Sequence, residues 1–142
     1  MLASRRSRKA LVSAAVSSIA SLTLASSSSV GWPPQPARVT LLYVGAEDCA
    51  PCLAWQHGPG RTFRASAEFA RISYREAKAP TTLDILKDEY WPEDLRFLRR
   101  AIDPSAGVPL WLVVEDDRVV AWAFGLGQWN EAILPKIRSL PP

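Results

Sequence analysis

Sulfur is scarce in this chain, and so is histidine. Among 142 residues there are two cysteines, one methionine and one histidine. The absence of a third cysteine near the N-terminus argues against a lipoprotein attachment site. The absence of a second Cys or His pair leaves Cys49 and Cys52 short of the four ligands a structural zinc site uses. His57 is the one candidate third ligand, but it lies five residues past Cys52, which on a helix rotates it off the same face. A long membrane-spanning run is also missing. The uncharged stretch Ala10–Ala25 falls short of the ~20 apolar residues a span needs, and Ser13, Ser17, Ser18 and Ser21 dilute it.

Excess charge is lacking once the N-terminus is set aside. The formal net charge is +3, from 17 basic and 14 acidic residues. Four of the basic residues are Arg5, Arg6, Arg8 and Lys9; without residues 1–25 the balance is 13 against 14, a net of −1. Nucleic-acid binding, which a basic protein would otherwise suggest, is therefore not expected. Hydrophobic residues make up 48%, enough for the core of one domain.

What is present divides into three. Met1–Lys9 is a basic segment, Ala10–Ala25 an apolar one, and Thr23-Leu-Ala25 before Ser26 resembles a cleavage site. Residues 1–25 are expected to be a signal peptide, or an uncleaved anchor, serving Sec export to the periplasm rather than the twin-arginine route, since Ser7, Arg8 and Lys9 follow the arginines. Residues 26–37, with a serine run and Gly31-Trp-Pro-Pro-Gln-Pro36, read as an extended linker. Residues 38–142 form the domain.

Within it, Val39–Val44 is an apolar strand that breaks at Gly45 and delivers Cys49-Ala-Pro-Cys52 to a helix start, where Pro51 is acceptable because the first helical N–H groups lack partners anyway. A helix over 52–57, an interruption at Gly58-Pro-Gly60 and a resumed helix to Ala70 lead to a second strand over 71–76. Thr81 or Thr82 is expected to cap a helix reaching Glu89, and Glu93–Ala101 to form another, with Leu95, Leu98 and Ile102 on one stripe. Val108–Val114 and Val119–Phe124 form a hairpin turned by Glu115–Arg118, and 130–139 a closing helix. The strand–helix–strand unit implies parallel pairing and the hairpin antiparallel pairing. The fold class is therefore α/β: a mixed sheet of about four strands with helices on both faces.

Two cysteines at this spacing on a helix start suit thiol–disulfide exchange. One thiolate attacks a substrate disulfide, and the second thiol resolves the mixed disulfide. Cys49, nearest the helix end, is the expected nucleophile because the free N–H groups there favour thiolate. Cys52, one turn inside, is the expected resolving thiol, and Pro51 stiffens the turn between them. An inert bridge is a poorer account, since so short a loop gains little stability from closure.

Three features together resemble the thioredoxin family: Cys49-Ala-Pro-Cys52 after an apolar strand, Gly107-Val108-Pro109 opening the next, and the hairpin ending at Gly125. The likeness spans 38–140. It implies a thioredoxin fold, a cis Val108–Pro109 bond, and Val108, Pro109 and Pro51 as substrate-binding residues beside catalytic Cys49 and Cys52. It implies no bound cofactor and no metal. The implied partners are disulfide-containing protein substrates and a membrane electron donor of the thiol-transfer type. The alternatives are a metal chaperone using Cys49 and Cys52, and a binding domain without redox chemistry.

The chain departs from the family twice: Tyr43 stands where thioredoxins carry a buried aspartate, and Asp48 stands where they carry tryptophan. Glu47 and Asp48 beside Cys49 should disfavour thiolate, which favours a reducing role. Trp91 and Trp129 are candidates for lining a partner groove.

Overall fold

Strand β1, Val39–Ala46, is apolar almost throughout because both of its faces are covered. It runs parallel to β2 (Ser73–Ala79) on one side, with Tyr43 opposite Glu76, and antiparallel to β3 (Leu110–Glu115) on the other, with Tyr43 opposite Trp111. β4 (Arg118–Phe124) pairs antiparallel with β3, giving a four-stranded sheet in the order β2-β1-β3-β4. The computed structural model describes residues 38–141, so the expected leader and linker lie outside the described residues. Among the described residues no helix is long and apolar enough to cross a membrane.

Alternation along β1 sends its side chains to two cores. Val39, Leu41 and Tyr43 face α1 (Ala50–His57), α2 (Pro59–Arg64), α3 (Ala67–Ala70) and the closing helix, where they meet Trp55, Phe63, Trp111, Trp129, Ile133 and Ile137. Leu42 and Val44 face the other way, with Leu110, Leu112 and Val114, against Trp91, Leu95 and Leu98. The closing helix is not uniform: Trp129–Ile133 has π geometry and Leu134–Ser139, α4, is α-helical.

The second face is covered differently from expectation. In place of the α-helices expected over 81–89 and 93–101, the chain forms three 3-10 stretches, Thr82–Asp84, Asp88–Tyr90 and Glu93–Ala101. A repeat of three residues per turn stacks Leu95 directly over Leu98, which is the pairing the sheet needs. Trp91 closes this core, 3% exposed, with its indole N–H donated to the Ile85 carbonyl at 2.6 Å. Trp129 is 1% exposed, edge-on to Trp55 and Phe63. Both tryptophans are core residues; Trp91 packs inside its core, while Trp129 also backs a surface pocket that Phe63, Ser66, Leu134 and Arg138 line with it. Their indoles bury more apolar area against their neighbours than an exposed groove position would provide.

The hairpin turn uses Asp116 and Asp117 at φ 46° and 65°, the left-handed pair that a two-residue loop requires and that aspartate tolerates. The remaining helix of the sequence reading, 61–70, divides at Ser66, whose hydroxyl accepts from the Phe69 N–H at 3.3 Å and starts α3 afresh.

Burial on the α side has a consequence at high pH. Tyr74 is held above the ordinary tyrosine range, first by burial and then by donating its hydroxyl to Glu76 Oε1 at 2.7 Å, and burial also raises Tyr43. Above the ordinary tyrosine pKa of about 10 the unfolded chain releases these protons while the folded chain keeps them, so stability falls as pH rises. Denaturant titrations at about pH 8 and about pH 11 are expected to show this loss, and Tyr74→Phe to reduce it. An equal loss in the variant would contradict the assignment.

Candidate redox site

β1 ends at Ala46, and Cys49 N donates to the Ala46 carbonyl at 3.4 Å, so the chain turns over three residues into α1. Cys49 is the N-cap of α1, in extended conformation. Its Sγ accepts from the Cys52 backbone N–H at 3.1 Å, as a capping oxygen would. Pro51 occupies the first turn, exposed, where its missing N–H costs nothing. Cys49 and Cys52 are joined as a disulfide with Cα atoms 5.2 Å apart.

The two sulfurs differ in access in the expected order. Cys52 is fully buried, whereas Cys49 retains 6% exposure. Cys49 is nonetheless more covered than a position at the rim suggests, because the loop before β3 lies over it. The Val108 carbonyl oxygen is 3.7 Å from Cys49 Sγ. A disulfide sulfur has no proton to give, so this is a contact; in the reduced state that oxygen would accept from the Cys49 thiol. The Cys52 N–H favours the thiolate and the Val108 carbonyl favours the thiol, so the two pull in opposite directions. The Val108–Pro109 bond is cis, and Pro109 is buried. The Pro109 carbonyl accepts from Gly125 N at 2.8 Å, and Gly125, at φ 90°, adopts a conformation that suits glycine. That bond ties the end of β4 to the loop over Cys49. Four sequence-predicted residues, Cys49, Cys52, Val108 and Pro109, thus come together from two parts of the chain, with Pro51 beside the cysteines.

This is the thioredoxin fold. The assignment rests on the chain's own topology: a parallel β-α-β unit, an antiparallel hairpin and a closing helix, with sheet order β2-β1-β3-β4. No family model matches the chain, and no curated protein matches it. Among solved structures the chain is similar to thioredoxin f2 of Chlamydomonas reinhardtii at 15% identity, covering 77% of this chain and 86% of that one, with a TM-score of 0.47.

Tyr43 stands where the sequence resemblance would put a buried acid. It is fully buried, stacked on Trp55 at 4.7 Å between ring centroids, and its hydroxyl accepts from Gln56 Nε2 at 3.0 Å. A phenol is protonated at neutral pH and burial raises Tyr43 further above the ordinary tyrosine range, so it cannot take up a proton as a carboxylate would. Gln56 was not singled out from the sequence; its place one residue after Trp55 on α1 carries no distinguishing pattern.

His57 lies exposed in the last turn of α1, and among the described residues no group of three His, Cys, Asp or Glu side chains could hold a metal. Glu47 and Asp48 are exposed. Asp48 is not directed solely at Cys49: its Oδ1 accepts from the Thr82 backbone N–H at 2.8 Å.

Proposed function

We propose that the protein is a thioredoxin-like thiol–disulfide oxidoreductase, exported to the periplasm and working in the reducing direction. The observation that carries this is the arrangement of sulfurs: Cys49 caps α1 with slight exposure under the Val108 carbonyl, and Cys52 lies fully buried behind it. The Cys49 thiolate attacks one sulfur of a substrate disulfide, forming the Cys49–substrate bond and releasing the other substrate sulfur as thiolate. Cys52, deprotonated, then attacks Cys49 Sγ; the Cys49–Cys52 bond forms and the second substrate sulfur leaves as thiolate. Two electrons pass to the substrate, and an external dithiol, in the cell a membrane donor of the thiol-transfer type, restores the reduced pair. Val108 and Pro51 form the surface that receives the substrate chain, and buried Pro109 shapes it from behind Val108.

Export rests on the basic-then-apolar segment 1–25 and the reducing direction on the acidic residues beside Cys49. The test is reduction of the interchain disulfides of insulin with dithiothreitol as donor. Catalytic amounts of protein are expected to accelerate precipitation of the freed chain; a rate equal to dithiothreitol alone would overturn the reading.

A further inference from the structure

We propose that Asp48 and the backbone N–H of Thr82 form a latch that sets the reactivity of Cys49, making the 3-10 stretch Thr82–Asp84 part of the redox site. Asp48 immediately precedes the attacking cysteine of the proposed reaction, on which this inference rests. A carboxylate there opposes formation of a second negative charge on Cys49. The structure moderates that opposition. Thr82 N opens the stretch Thr82–Asp84, where the turn itself offers it no acceptor, and Thr81 makes no capping bond. Asp48 Oδ1 takes that role from 34 residues away, at 2.8 Å. The approach is prepared by the backbone: Glu47 N donates to the Ala79 carbonyl at 3.0 Å, extending the β1–β2 pairing past the strand ends and bringing Thr82 alongside Asp48. A carboxylate accepting from an N–H presents less free negative charge to its neighbours than an unpaired one. Asp48 is thus a positioning residue that acts on Cys49 through its charge, and Thr82 regulates how much of that charge Cys49 meets.

Two substitutions separate charge from scaffold. Asp48→Asn keeps an oxygen for the Thr82 N–H and removes the charge. Thr82→Pro removes the donor and leaves the charge; Thr81, at φ −129° and ψ 153°, already has the conformation a residue before proline adopts. The readouts are the iodoacetamide alkylation rate of the reduced protein at neutral pH and the equilibrium constant of the Cys49–Cys52 pair with glutathione. Asp48→Asn is expected to raise the alkylation rate about threefold and to shift the equilibrium toward the dithiol. Thr82→Pro is expected to move both readouts the other way by a similar factor. A merely structural contact would leave Asp48→Asn like the wild type. Shifts in the same direction, or no shift in either variant, would overturn the inference while leaving the oxidoreductase reading to the insulin assay. Opposite shifts would uphold it even in a protein that failed to reduce insulin.

Discussion

Gly45→Val is expected to destabilise the domain by about 3 kcal/mol or more, a large part of the roughly 5–15 kcal/mol that holds such a domain folded. Gly45 lies inside β1, on the α side, directly beneath the Tyr43 ring. A Cβ at this position would stand 2.3 Å from the Tyr43 hydroxyl oxygen and 2.6 Å from Cζ. The end of an exposed side chain could swing away; Tyr43 cannot. It is fully buried, stacked on Trp55 with Trp111 at 6.4 Å, and its hydroxyl is held by Gln56. Replacing a glycine in a strand would otherwise gain about 0.4–1 kcal/mol from the unfolded state. Overpacking costs more than that, so the clash decides the sign. The interaction is testable as a cycle: Tyr43→Leu removes the ring that blocks position 45. The double variant Tyr43→Leu/Gly45→Val is therefore expected to lose less than the two single losses combined, by about 0.5–3 kcal/mol. Additive losses would show that something other than the phenol excludes a side chain there.

The same pair explains one difference between sequence and structure. In the sequence Gly45 reads as a break after the apolar run, yet β1 continues through Ala46, paired with β2 to its end. Glycine was selected by the ring two residues earlier on the same face, a contact that composition and periodicity do not display. The length of β2 was displaced for a related reason. Arg71 caps α3, and the strand runs on through Ala77 and Ala79, whose small side chains are weak strand formers but fit under the covering segment.

The order of elements, the parallel and antiparallel pairings and the place of the cysteines were legible because each rests on a local signal: continuous apolar strands, a proline after the N-cap, two aspartates in a tight turn. The kind of helix over 93–101 was not. Leu95 and Leu98 are three apart, a spacing shared by α and 3-10 geometry, and the sheet rather than the sequence selects between them. Trp91 and Trp129 look alike in sequence whether they face a partner or a core. The Asp48–Thr82 bond joins positions 34 apart and has no sequence signature.

The proposed exchange depends on a division of labour between two sulfurs, and a single titration examines it. Reduced protein is treated with excess dithionitrobenzoate, and the released thionitrobenzoate and the adducts left on the chain are counted. Wild type is expected to release two equivalents and to end as the Cys49–Cys52 disulfide carrying no adduct. Cys52→Ser should release one equivalent quickly and keep one adduct, mapped to Cys49. Cys49→Ser should react at least about tenfold more slowly, because Cys52 is wholly buried. Equal rates in the two variants, or a wild-type chain that retains adducts on both cysteines, would contradict the assignment of attack to Cys49 and resolution to Cys52.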